Sequence, residues 1–146
     1  MANKRLVSPE RSYWRDVELS IRHRMYGYDT PCTDIDHLLV EYDNCKPVAI
    51  IEYKSECAKP VMPGNPSILA IERLADAAKL PFFVVRYSSD FRWWWVMPVN
   101  AIAKRILSKR EKMSEIEYVG FLYRLRGKPM PLEVRDSLLP FATGYV

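Results

Sequence analysis

Asp36 and Glu52 stand sixteen positions apart, and Glu52 opens the tripeptide Glu52-Tyr53-Lys54 at the end of the apolar run Pro47-Val48-Ala49-Ile50-Ile51. In an extended strand, residues two apart leave from the same face, so Glu52 and Lys54 project together while Tyr53 points the other way. An acid and an ammonium group are thereby fixed side by side, and a second acid joins them if the preceding segment folds back. Two carboxylates and a lysine suit an oxygen-ligated divalent cation acting on a phosphodiester. Such a cation neutralises the charge that builds on a phosphorane-like transition state and on the leaving oxygen, and makes bound water a better nucleophile. Crowded carboxylates also raise one another's pKa unless a cation sits among them.

Turn and periodicity signals define the elements that must position this set. Ser8 as N-cap, Pro9 at the first helical position, and Trp14, Val17, Ile21 and Met25 at helical spacing predict a helix from Pro9 to Met25, ended by Gly27. After the turn-rich Asp29-Thr30-Pro31, a strand is expected from Asp34 to Tyr42, then a hairpin turn at Asp43-Asn44-Cys45-Lys46 and a second strand from Val48 to Lys54. A hairpin centred on Asn44 brings position 36 opposite position 52. Ala58 to Pro66, with its prolines and Gly64, reads as a loop beside that pair. Ser67 to Lys79 reads as a helix with Ile68, Ile71, Leu74, Ala75 and Ala78 on one stripe, stopped by Pro81. Phe82 to Tyr87 and Trp93 to Met97 read as strands, Val99 to Lys112 as a basic helix, Glu117 to Arg126 as strand-like, and Pro131 to Leu139 as a short terminal helix.

A helix between two strands implies a right-handed crossover, so the expected fold class is α/β (α+β), a central mixed sheet flanked by helices. The length of 146 residues, 49% hydrophobic, suits a single domain over residues 1–146. No stretch is apolar and long enough to span a bilayer, and Met1-Ala2-Asn3-Lys4-Arg5 is not followed by the apolar segment of a secretion signal. A cytoplasmic protein with no membrane partner is expected. Cys32, Cys45 and Cys57 then read as reduced thiols, and a zinc site from these with His37 lacks the close ligand pairs that structural zinc favours. The net charge of +4 and pI near 9.0 permit an anionic partner without demanding one.

The order of elements, with TDIDHLLVEYDNCKPVAIIEYK laid across the first hairpin, resembles the PD-(D/E)xK nuclease superfamily, which includes many restriction enzymes, Holliday-junction resolvases and phage nucleases. The resemblance covers about residues 8–98, leaving 99–146 as a basic helix and extension. It implies a restriction-endonuclease-like core and a divalent-metal-dependent nuclease, with Mg²⁺ as cofactor and Mn²⁺ as substitute. By that resemblance Asp36, Glu52 and Lys54 are catalytic. Asp36 and Glu52 bind the metal, the Tyr53 backbone carbonyl adds a ligand, and Lys54 orients the attacking water or stabilises the transition state. Pro31 lies three residues before Asp34 rather than next to the first acid. Asp36 is preferred on hairpin register, with Asp34 as second choice. Some relatives present a glutamate from the first helix, and Glu18 is the best match. The implied substrate is duplex or branched DNA, with RNA left open, and several relatives of this size work as homodimers. The alternative is a non-catalytic nucleic-acid-binding or assembly protein with the same fold.

Several residues carry weaker signals. Lys59, Arg73 and Arg86 near the proposed site, and Lys104 and Arg105 in the basic segment, are candidate phosphate contacts, with ordinary solvation as the competing account. Trp93-Trp94-Trp95 offers base-stacking rings, but neighbours on a strand face opposite ways, so at least one ring is expected in the core. His23 and His37 are the only histidines, and His37 falls on the strand face opposite Asp36. No glycine-rich phosphate loop is present.

Overall fold

The computed structural model describes residues 17–26, 33–62 and 64–142. The chain divides into two compact units, Met1–Asp34 and Ile35–Val146. In the first, helix α1 (Val17–Met25) carries Glu18 paired with Arg22 one turn on at 3.4 Å. The expected helical stretch from Pro9 to Asp16 lies outside the described residues.

The second unit is an α+β structure, as expected. Its elements run β1 (His37–Glu41), β2 (Lys46–Ser55), α2 (Pro66–Ala78), β3 (Phe82–Tyr87), β4 (Trp93–Pro98), α3 (Ala101–Ile106), β5 (Glu111–Ser114), α4 (Glu115–Leu125) and α5 (Leu132–Ala142). The five strands lie in chain order in one mixed sheet. β2 and β3 are parallel, joined by α2 as the crossover, and the other pairs are antiparallel.

The first hairpin is organised by a side chain. The Glu41 carboxylate accepts the backbone N–H groups of Asp43 and Asn44, each at 3.0 Å, and the Asn44 amide at 2.9 Å. Lys128, after α4, clamps this turn through Glu41 at 2.8 Å and through Asp43. Cys45 closes it with φ 54°, left-handed backbone that a non-glycine residue adopts only when its surroundings impose it. From the turn, Glu41 pairs with Lys46 and Val40 with Pro47, but Leu39 pairs with Ala49. Val48 is therefore an extra residue, a β-bulge at the point where Pro47 has no N–H to give the ladder.

Each sheet face has its own core. On one, Ile50, Phe82 and Val84 pack against Ile68, Ile71 and Ala75 of α2. On the other, Ile51, Phe83, Val85, Val96 and Met113 pack against Ala103 of α3 and Tyr118 and Phe121 of α4. Burying each large apolar side chain contributes roughly 1.5–3 kcal/mol. Helix α2 starts at Asn65, whose side chain caps the N–H of Ser67 at 2.9 Å, with Pro66 in the first turn. Its inward stripe is narrower than predicted, because Leu74 and Ala78 face solvent.

Asn100, 2% exposed, ties three elements together. Its oxygen accepts the N–H of Phe82 and of Ala103, both at 3.0 Å, and its amide donates to Asp76 at 3.0 Å and to the Leu80 carbonyl at 2.8 Å. All four bonding positions of the amide are filled.

Three expectations for the last third are corrected. The basic helix expected over Val99–Lys112 is only α3, Ala101–Ile106; Leu107 turns extended, and Glu111–Ser114 adds the fifth strand so that Met113 is buried opposite Trp94. The strand-like segment Glu117–Arg126 is helix α4, because Ser114 caps the Glu117 N–H at 3.3 Å and Tyr118, Phe121 and Leu125 share one inward stripe. The last third is also no appendage to a core ending near residue 98, since Met113, Tyr118 and Phe121 are core residues.

Candidate active site

β2 delivers Glu52 and Lys54 to the α2-side face, beyond the end that Ile50 gives to the core. Lys54 Nζ lies 3.2 Å from Glu52 Oε1. The β1–β2 register, His37 with Ile51, places Asp36 one step further on, across from Glu52. Asp36 Oδ2 accepts the Tyr53 backbone N–H at 3.0 Å, which anchors the acid just ahead of β1 and leaves its second oxygen for another partner. Asp36, Glu52 and Lys54 are thus assembled as the sequence predicts.

The electrostatics are strained in the direction a cation relieves. Glu52 is 8% exposed. Burial pushes its carboxyl above the ordinary range, the Lys54 hydrogen bond pulls back, and the Asp36 carboxylate pushes it further up. Two hard oxygen donors with no nearby His or Cys fit Mg²⁺, which takes one or two carboxylates and fills its shell with water and substrate oxygens. Among the described residues there is no cluster of three or more His, Cys, Asp or Glu side chains, so the side-chain donor set is these two carboxylates.

Behind the acids, on the opposite face, Tyr53 fills an aromatic cluster. Its ring meets His37 edge-on at 4.8 Å, its hydroxyl is hydrogen-bonded to that of Tyr118, and Tyr118 stacks on Trp94 at 4.7 Å. Burial raises the pKa of both tyrosines and keeps them neutral. His37 is therefore a packing residue on the side away from Asp36. The cluster stiffens the strand segment that carries Glu52 and Lys54.

The other predicted residues are distributed unevenly. Arg86, next to Lys54 on β3, donates to the carbonyls of Glu56 and Ala58 at 3.2 and 3.1 Å and of Lys59 at 3.4 Å. It anchors the loop after β2. Lys59 and Arg73 are exposed, on that loop and on α2. Lys104 and Arg105 are exposed on α3, which packs on the opposite face, so the sheet separates them from Glu52. Glu18 and Asp34 belong to the first unit, Glu18 with its carboxylate paired to Arg22, and His23 lies in α1.

Sequence reading missed Arg110 and Lys112 as partners of the tryptophans, because both were placed in or beside a helix. Lys112 Nζ lies 4.1 Å from the Trp93 ring centre and 5.8 Å from that of Trp95, with the Arg110 guanidinium 6.0 Å from Trp95. The signal was the alternation Arg110, Lys112, Ser114 around the apolar Met113. Free, exposed Cys45 and Cys57 lie on loops. No helix among the described residues is long and apolar enough to cross a membrane. In comparisons with protein-family models, with curated proteins and with solved structures, nothing matches this chain.

Proposed function

We propose that this protein is a Mg²⁺-dependent nuclease, a hydrolase of phosphodiester bonds in DNA, built on the pattern of the PD-(D/E)xK superfamily. The observation that carries the reading is the convergence of Asp36, Glu52 and Lys54 at one point of the sheet, with Lys54 3.2 Å from Glu52 and Glu52 held partly protonation-prone by burial and by Asp36. A protein that only bound a polyanion would gain nothing from two acids facing it.

Asp36 and Glu52 would hold the metal, with the Tyr53 carbonyl as a further ligand. The metal, when bound, supplies Lewis-acid activation of water and neutralises charge on the scissile phosphate. Lys54 does the rest from the protein side: its ammonium holds Glu52 in place and stands ready to pair with the charge that develops on the phosphate. The Tyr53 N–H keeps the Asp36 carboxylate aimed at Glu52.

The test is a panel of labelled DNAs (linear duplex, single strand, flap and four-way junction) incubated with Mg²⁺, Mn²⁺ or chelator. Metal-dependent cleavage that Glu52→Gln and Lys54→Ala each abolish supports the reading. Cleavage that persists in either variant, or binding with no cleavage of any substrate, refutes it, and the second outcome favours a nucleic-acid-binding protein instead. Size analysis of the active species decides whether it works as a homodimer.

A further inference from the structure

The three consecutive tryptophans of β4 split between the two faces. Trp94 turns to the α4 side, stacks on Tyr118 and donates its indole N–H to the Phe91 carbonyl at 2.9 Å. Trp93 and Trp95 leave from the other face, and strand register shows which face that is. Lys54 pairs with Arg86, Arg86 with Trp95, and Trp95 with Lys112. Paired residues on adjacent strands point the same way, so one cross-strand row runs from the candidate active site to the outer strand of the sheet. Three spacings of about 4.8 Å make the row roughly 14 Å long.

The sheet face that carries this row has an unusual composition. Trp93 and Met97 are each 38% exposed and Trp95 is half-buried, whereas their inward neighbours Val96 and Pro98 are buried. Core demand therefore does not explain the two outward rings. Helix α2 packs on this face against Ile50, Phe82 and Val84. The cations beside the rings, Lys112 and Arg110, are exposed, and no carboxylate is paired with either among the ion pairs of the described residues. Arg86, in the middle of the row, donates to carbonyls of the loop after β2.

We infer that Trp93 and Trp95, with Lys112 and Arg110, form a binding surface for single-stranded nucleic acid, which it passes along the sheet toward Asp36, Glu52 and Lys54. Unpaired bases present π-faces that stack on exposed indoles without regard to sequence, and the phosphates between them match cations held at the ring edges. A duplex keeps its bases stacked inside and offers these rings nothing to grip. The direction toward the acids rests on the nuclease reading; the binding surface does not.

Fluorescence anisotropy with a labelled oligothymidylate, in chelator so that nothing is cut, tests the surface. Trp93→Ala and Trp95→Ala are each expected to weaken binding by about 10-fold or more, and Trp93→Phe and Trp95→Phe to restore most of it. Lys112→Ala is expected to lower the slope of log affinity against log salt by about 0.7. Wild-type affinity in the folded Trp93→Ala/Trp95→Ala double variant overturns the inference. So does equal affinity of wild type for oligothymidylate and for duplex of the same length. A wild-type dimer that the double variant converts to monomer with oligonucleotide binding intact also overturns it, and assigns the rings to a second copy of this chain. Cleavage with Mg²⁺ but no loss of binding in the double variant rejects the surface and keeps the nuclease reading. Ring-dependent binding with no cleavage does the reverse.

Discussion

Asp36 reaches across the first hairpin and accepts the backbone N–H of Tyr53, the residue that separates Glu52 from Lys54. One acid is thus tied to the main chain of the strand that bears the other acid and the lysine. Asp36→Asn retains an oxygen for that N–H and loses only the charge. It should leave thermal unfolding within a few degrees of wild type while reducing Mg²⁺-dependent cleavage by about 100-fold or more, the loss of roughly 3 kcal/mol of transition-state stabilisation. Paired melting curves and single-turnover cleavage rates measure both halves.

Glu52 should destabilise the metal-free protein at neutral pH. Its folded-state pKa is raised, first by burial and also by Asp36, so its favourable contribution is complete below the unfolded value of about 4.3 and is lost as pH rises through the folded value. Glu52→Gln should therefore melt higher than wild type at pH 7, with the gap closing as pH falls to about 4. Mg²⁺ should raise the melting temperature of wild type and not of the variant, since a ligand stabilises only the state that binds it. Melting curves over pH 4–8, with and without Mg²⁺, decide it.

The hairpin turn has the opposite sign. The Lys128 hydrogen bond, aided by Asn44 and Asp43, lowers the Glu41 pKa to about 2. A depressed carboxylate contributes stability that is present above the unfolded value of about 4.3 and lost as pH falls toward 2. Glu41→Gln should lower the melting temperature at pH 7 and approach wild type between about pH 4 and 2. Lys128→Ala should reproduce part of the loss, and the double variant should fall short of the sum because the two residues share one network.

Loss of Asn100 should be costly to the fold. Asn100→Ala leaves the Phe82 and Ala103 N–H groups and the Asp76 and Leu80 acceptors without their partner, and each buried orphan costs about 1–3 kcal/mol. With partial rescue by water, a destabilisation of about 2–4 kcal/mol is expected in urea unfolding at unchanged m-value.

Local signals were enough for the elements from β2 to β4. Phe82–Tyr87 is a continuous apolar and β-branched run and forms β3 over those same residues, and the loop-helix boundary at Pro66 is set by punctuation that acts within a few residues. The pairing of Asp36 with Glu52 was expected from a hairpin centred on Asn44; the observed turn is centred between Asp43 and Asn44, and the extra residue at Val48 restores that pairing. What escaped were segments whose conformation is decided by distant partners. Arg110 to Lys112 has the composition of a helix, but Met113 gains a buried place against Trp94 only as part of a strand. Tyr118 to Leu125 is aromatic and branched enough to read as a strand, yet Ser114 and Glu117 stand at the spacing of a helix start, a signal that outweighed β propensity. The exposure of Trp93 and Trp95 depended on β5, so it could not be read until that strand was placed.

The extra residue at Val48 also sets the phase of the hairpin. Counting outward from Glu41 and Lys46 with no interruption would bring Asp36 level with Ile51, whose side chain lies in the core on the far side of the sheet, and Glu52 level with Ile35. The added step changes odd to even, so that acid meets acid. Activity in this protein would then be vulnerable to a kind of damage that leaves every functional residue in place and the secondary structure intact: a one-residue slip between β1 and β2, which silences the centre by parity alone.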